Sequence, residues 1–399
     1  LFRSINLNAG SLRMGPHLGT GTLTAKSGTF ISVATAATAG TTNLGSLTLE
    51  DNTESDFRLG ATSDKIVASG QLTAPATGTH QFNLSGTPVS GGMIKLIDYS
   101  GTALSPADFA KFTLNTSTLG AATLSLVNNT ADTSVDLLIT LEDQVWKGST
   151  DGNWDNTTTN WAFASTPASA IAFDAGNPSI FNDSAAIFAV IVDAAGISPS
   201  AMSLNHSAND YTFTGGEIFG SFPLIKNGTS KATIALNLAN TGGLTINAGS
   251  IEIGNGGATG NIGTGSIVVA AGATLAYNLD NTVLLDYKTN AKLRNVSGAG
   301  DIVLSGGHTL FNYTGTGVGF NEANSWNLFS GNLIVKGGSE FRTIRNGATA
   351  MGTGDLILGD ATTSGTLAQI EGNWTFTNDI VLVGPANIIT NRSLVGVGG

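Results

Sequence analysis

The chain has 399 residues, enough for two or three ordinary domains, with a net charge of −11, no cysteine and only 11% charged residues. Without cysteine there are no disulfides or thiolate metal sites, and the 17 basic residues are scattered singly rather than in the stripe that nucleic acid requires. No apolar run approaches the roughly 18 residues of a membrane-spanning helix, and 41% hydrophobic residues with a mean hydropathy of +0.16 do not fit a disordered chain.

In chain order, residues 1–33 hold a phrase that returns far downstream. Ile5-Asn-Leu-Asn-Ala-Gly10-Ser-Leu-Arg-Met-Gly15 aligns with Leu244-Thr-Ile-Asn-Ala-Gly249-Ser-Ile-Glu-Ile-Gly254. Gly19-Thr-Gly21 then matches Gly263-Thr-Gly265, and Gly28 matches Gly272. The difference between the copies lies in the turn, as when a loop is inserted between fixed strands. Residues 44–141 read as further short strands, among them His80-Gln-Phe-Asn-Leu84, Met93–Tyr99, Thr123–Val127 and Val135–Leu141. Pro106–Phe112 is expected to form one helical turn, capped by Ser105 with Pro106 in first position.

The chain changes character at Glu142. Trp146, Trp154 and Trp161 follow within a polar Thr/Asn/Asp setting, and a unit boundary is placed here. Residues 1–141 are read as the end of one unit. Residues 142–399 are read as the start of a second, with a Trp-rich entry over 142–165 that either continues the stack or forms a short side hairpin. Strands are expected at Ala170–Phe173, Ser179–Phe181, Ala189–Val192, Tyr211–Phe213 and Glu217–Phe219. The rhythm then continues through Asp301–Leu304, Thr309–Phe311, Asn332–Val335, Asp355–Leu358, Trp374–Phe376 and Asp379–Val383.

Strands of three to five residues, Gly/Asn turns and a recurring phrase predict an all-β fold, a β-solenoid built of short strands. Each strand would pair in parallel with the one a coil away, coils running about 20–25 residues. Inward positions take Ile, Leu, Val, Phe or Ala, outward positions Thr, Asn and Ser, and Gly supplies the positive φ of the corners. The competing fold is a string of antiparallel sandwiches, which expects regular Asn-Gly hairpins; Asn227-Gly228 and Asn346-Gly347 are present, but most turns are longer.

The phrases Gly243-Leu-Thr-Ile-Asn-Ala-Gly249 and Gly263-Thr-Gly-Ser-Ile-Val-Val269 resemble the autotransporter-associated β-strand repeat of bacterial passenger proteins. Trp146-Lys-Gly148, Asn153-Trp154 and Asn160-Trp161 are similar to the Trp-rich start of a unit in large secreted proteins carrying that repeat. Gly91-Gly-Met-Ile-Lys-Leu-Ile-Asp-Tyr-Ser-Gly101 resembles the segment that ends one. The resemblance spans most of the chain and implies a right-handed parallel β-helix. It also implies an extracellular or outer-membrane location on a bacterium and a role as stalk, fibre or adhesin. It carries over no catalytic residue. Both ends fall inside the repeat phrase, and neither reads as a cap. End-to-end continuation is therefore expected, by covalent chain or by self-association of subunits.

Candidate sites are few. His17, His80, His206 and His308 lie far apart, with no metal-binding spacing. No nucleophile elbow, phosphate loop or calcium nonapeptide is present, so no metal or cofactor is assigned. Glu50-Asp51 and Glu142-Asp143 are adjacent carboxylates, and neighbours on a strand point to opposite faces. No carboxylate pair is thus read onto one face, and the chain is expected not to be an enzyme. Asp151, Asp155, Asp174 and Asp183 lie near the Trp residues. With Trp146, Trp154 and Trp161 they form either a patch for a glycan or calcium or, as the favoured reading, turn caps around packed indoles. The leading function is a structural segment of a surface or secreted repeat protein with a glycan or cell-surface partner. Its rivals are a carbohydrate-active β-helix, such as a lyase or tailspike-like glycosidase, and a glycan-binding module.

Overall fold

The computed structural model describes residues 3–14, 21–33, 39–60, 62–86, 91–119, 122–286, 295–312, 326, 328–343, 352–370 and 378–392. The expected strand at Trp374–Phe376, His17 and the first of the Gly-Thr-Gly turns lie outside them. The protein is almost entirely β, 50% strand and 1% helix. The helix is Pro106–Phe109, with Ser105 as N-cap accepting from the Asp108 N–H and Pro106 in the first turn. By its contacts the chain divides into two compact units, Leu1–Glu142 and Asp143–Gly399, each with its own apolar core.

In the first unit the chain visits three sheets in rotation. Thr41–Leu44 belongs to one, Leu47–Leu49 to the next and Thr53–Leu59 to the third. Lys65–Ala68, Leu72–Thr73 and His80–Gly86 then repeat the circuit. Each strand pairs in parallel with its counterpart one circuit away: Leu47 with Leu72, Glu54 with Gln81, Thr42 with Ile66. Burial alternates in Thr53–Leu59, whose odd residues Thr53, Ser55, Phe57 and Leu59 are buried. A strand turns successive side chains to opposite faces. Each apolar side chain so enclosed contributes about 1.5–3 kcal/mol.

The expectation of parallel pairing throughout fails at the end of this unit. Gly92–Tyr99 pairs in parallel with Lys65–Ala68 on one side but antiparallel with Ser134–Leu141 on the other, and Ser134–Leu141 pairs antiparallel with Ala122–Asn129. These strands are eight residues long, and the last two are joined by a short turn at Thr130–Thr133 that forces them antiparallel.

In the second unit Gln144–Trp146 pairs antiparallel with Trp161–Phe163 and in parallel with Pro178–Asn182. From there a nine-stranded and a ten-stranded sheet run side by side in sequence order. The ten-stranded sheet is parallel throughout, from Asn153–Trp154 to Ile380–Leu382. Ala170–Phe173 is not a strand: only Ile171 bridges Trp161, and the chain then turns so that the Asp174 N–H meets the Gln144 side chain.

The two copies of the recurring phrase adopt the same local geometry. Ile5 pairs with Leu23 as Leu244 pairs with Ile267, and Leu12 with Ile31 as Ile251 with Leu275. Their corner glycines match: Gly10 and Gly249 have φ of 75° and 66°, Gly28 and Gly272 of 74° and 79°. Only glycine adopts that region without strain.

Candidate functional site

The Trp-rich segment places its two residue classes on opposite sides. Trp146, Trp154 and Trp161 are each 0% exposed. Trp161 packs 5.3 Å from both of the other two, and Phe181 contacts all three, so there is no aromatic platform for a sugar. The Trp146 Nε1–H donates to the Ile187 carbonyl at 2.8 Å.

The carboxylates of the segment are engaged by their own turns. Asp151 accepts from the Asn153 backbone and side chain and from the Asn160 side chain, and those bonds hold its pKa below the usual range, the Asn153 N–H foremost. Asp155 accepts from the N–H and hydroxyl groups of Thr157 and Thr158; against the opposing effect of burial, these keep its pKa low. Asp183 accepts the N–H groups of Ser207, Ala208 and Asn209. Such bonds are the turn chemistry of Asp. Beside the segment lies a groove of about 570 Å³, lined by Asn153, Asp155, Ile191, Asp193 and Gly216 among others. Gly216 makes its floor, and a Cβ there would meet the Asp193 carbonyl at 1.8 Å.

The reading that no carboxylate pair shares a face is corrected in the first unit. Glu54 and Asp56 occupy alternate, outward positions of Thr53–Leu59. Two residues apart on a strand, they stand about 6.6 Å apart at the backbone. Register sets Phe30 and Gln81 on either side of Glu54, and Ser32 and Asn83 on either side of Asp56. Gln81 donates its amide to the Asn83 side-chain carbonyl at 2.9 Å, and Asn83 donates to Glu54 at 2.9 Å. Asp56 is raised above its ordinary pKa, by burial first and by the charge of Glu54, partly offset by a hydrogen bond from Asn83. Two carboxyl groups on one strand face, one of them raised by burial and by the charge of the other, are the arrangement from which an acid–base pair is built. Comparing carboxylates two apart, as in Glu54-Ser-Asp56, rather than adjacent ones would have found it.

The histidines do not converge. His80, His206 and His308 are each fully buried at separate places. Thr53 Oγ1 donates to the Glu50 carbonyl and so accepts from His80 Nδ1–H at 2.8 Å, leaving Nε2 to accept from the Ser55 hydroxyl at 2.9 Å. His206 and His308 donate Nδ1–H to the carbonyls of Asn209 and Ser305. Among the described residues no three His, Asp or Glu side chains cluster to hold a metal ion.

A buried lysine also escapes a reading by composition. Lys226 is 0% exposed, and its ammonium donates to the carbonyls of Asn227 and Gly228 at 2.7 and 2.6 Å. Burial pushes its pKa down to about 8, against the pull of Asp210 and Asp183. Its proton donors serve the corner beneath it. The alternation of Leu224-Ile-Lys-Asn places it inward, but its charge argues for the surface.

No protein-family model matches the chain, and no curated protein or solved structure matches it.

Proposed function

We propose that the chain is a structural segment of a large bacterial surface-exposed or secreted repeat protein, folded as right-handed parallel β-helical units and acting as stalk, fibre or adhesin. The observation that carries this reading is the rotation of the chain through three sheets with in-register parallel pairing at each return. The matched registers and glycine φ values of the two phrase copies support it further, because one structural unit repeated is how such scaffolds are built. On this reading the activity is mechanical: stacked strand ladders hold loops apart and resist extension. The Trp-rich entry covers the first turn of its unit, and the antiparallel strands from Gly92 to Leu141 close the preceding one. The partner is a glycan or another cell-surface component, and further repeats continue the scaffold.

The Glu54–Asp56 pair favours one rival reading, a carbohydrate-active β-helix. Inverting glycosidases hold their two carboxyl groups about 6.5–9.5 Å apart. Asp56 would serve as proton donor and Glu54 as base, with Phe30, Gln81 and Asn83 against the sugar. One experiment separates the two. The purified chain is incubated with pectin, alginate, glucan and host-type glycans, and product release is measured. The structural reading expects none. Release that disappears in both Glu54→Gln and Asp56→Asn would replace it with the enzymatic one.

A further inference from the structure

The outer face of the ten-stranded sheet changes chemistry along its length. In its first half the column is polar, with Thr212, the buried Thr233 and Glu252 in register and Lys231 paired with Glu252 at 3.2 Å, while Ile191 on the strand before them is an exposed apolar exception. In its second half the same column becomes Ala276, Val303, Ile334, Ile357 and Val381, again in register. The first four are half-buried and Val381 is exposed. One Val or Ile on an outward position follows from strand propensity. An unbroken column of five does not; in the first half the exposed Ile191 stands alone between Asn153 and Thr214.

A second column runs beside the first, two residues earlier in sequence: Asp301 opens its strand, and Asn332, Asp355 and Asp379 each stand directly before theirs, half-buried or exposed. Asp301 accepts the Asn332 N–H, and the Asn332 side chain accepts the Asp355 N–H. The carboxylates of Asp355 and Asp379 have no hydrogen-bond or ion-pair partner among the described residues. The face therefore offers an apolar stripe about 19 Å long, four strand spacings, edged by unpaired negative charge.

We propose that this stripe is the docking face for a cationic amphipathic polypeptide segment. Its apolar residues would lie along Val303, Ile334 and Ile357, and its Lys or Arg residues would reach Asp355 and Asp379. Charge decides the occupant. A second copy laid on the stripe has no Lys or Arg in either column to meet Asp355 and Asp379, whereas a basic border neutralises them. The length suits a helix of about 13 residues.

The test uses the full chain and a fluorescent Leu/Lys peptide of about 14 residues with a helical apolar face, against an isomer of the same composition in scrambled order. Fluorescence anisotropy is read near physiological salt. The ordered peptide is expected to bind at least about tenfold more tightly than the scrambled one. Ile357→Lys is expected to abolish that preference, and joint Asp355→Asn and Asp379→Asn to weaken binding several-fold and flatten its salt dependence. Thr212→Lys, on the polar half, should change nothing. If Ile357→Lys fails to fold, Ile357→Thr replaces it. Equal binding of the two peptides would overturn the proposal, as would indifference to the Ile357 substitution. So would light scattering that shows a self-associated chain dissociated by that same substitution, because the stripe would then belong to a second copy.

Discussion

The side-chain amide of Asn227 donates to the side-chain carbonyl of Asn205 at 2.8 Å, and Asn247 makes the same bond to Asn227, also at 2.8 Å. The three residues end successive parallel strands of the nine-stranded sheet or follow them directly, 22 and 20 residues apart in sequence. A short amide ladder thus runs across the ends of three paired strands. Asn237 and Asn261 make a second one, with Asn237 donating on to Glu217.

Removing the middle rung breaks two bonds. Asn227→Ala is expected to destabilise the second unit by about 1–2 kcal/mol, since each exposed-to-intermediate bond is worth about 0.5–1.5 kcal/mol net. Asn247→Ala, which breaks one, should cost about half as much. Thermal melts of both variants followed by Trp fluorescence test the ratio, and equal losses would show that the ladder does not act through its bonds.

The corner glycines separate two sources of strain. Gly249 and Gly272 both sit at positive φ, but a Cβ on Gly249 would stand 2.6 Å from the Gly228 carbonyl, whereas one on Gly272 meets nothing within 4 Å. Gly272→Ala should therefore carry the backbone cost alone, about 1–2 kcal/mol. Gly249→Ala should add a steric cost of about 1–3 kcal/mol. Denaturant titration of the two variants measures the difference, and an equal loss would mean that the stack shifts to admit the methyl group.

What the sequence conveyed follows from what periodicity can encode. The strands, their inward faces and the Gly corners were legible because alternation and turn chemistry are local, and the match between Ile5–Gly10 and Leu244–Gly249 extends to pairing register. The antiparallel pairing of Gly92–Tyr99 with Ser134–Leu141 was not, because an alternating run such as Val135–Leu141 says nothing of its partner's direction. Trp146, Trp154 and Trp161 are fully buried, although the polar residues around them in the sequence admit either packing or exposure. Glu54 and Asp56 share a face through the two-residue period of a strand, which a comparison of adjacent carboxylates does not show. At Lys226 alternation and charge conflict, and only the carbonyls of Asn227 and Gly228 explain an inward ammonium.

The indole cluster gives a sharp stability test. Trp161 touches Trp146, Trp154, Phe173 and Phe181 and is fully buried. Trp161→Ala should cost about 3–5 kcal/mol. Trp146→Phe keeps most of the packing but abandons the Ile187 carbonyl, for about 1–3 kcal/mol. All of the Trp residues lie in the second unit, so fluorescence reports that unit alone. Neither substitution is expected to change glycan binding, and a selective loss of binding in a folded Trp161→Ala chain would return the indoles to a recognition role.

The pH dependence of the first unit rests on His80. Burial lowers its pKa from 6.5 to about 3, and its two hydroxyl partners suit the neutral ring. Between those values the unfolded chain holds a proton that the folded chain refuses. Stability is therefore complete above about pH 6.5 and declines as pH falls toward 3, by up to about 1.4 kcal/mol per pH unit. His206 and His308, also lowered by burial, act with the same sign in the second unit. The depressed carboxylates Asp151, Asp155 and Asp183 withdraw their stabilisation only on titrating below their ordinary value of 3.8. Asp56, raised above that value, protonates in the fold first and opposes His80 in the lower part of the interval, a contribution common to parent and His80 variant. In His80→Gln the chain should be less stable than the parent at pH 8, because Thr53 and Ser55 lose their fitted partner, and the gap should narrow steadily as pH drops from 6.5 to 4. Circular dichroism melts read the first unit alongside the fluorescence of the second. Parallel curves for parent and variant across that interval would show that His80 already carries its proton in the fold.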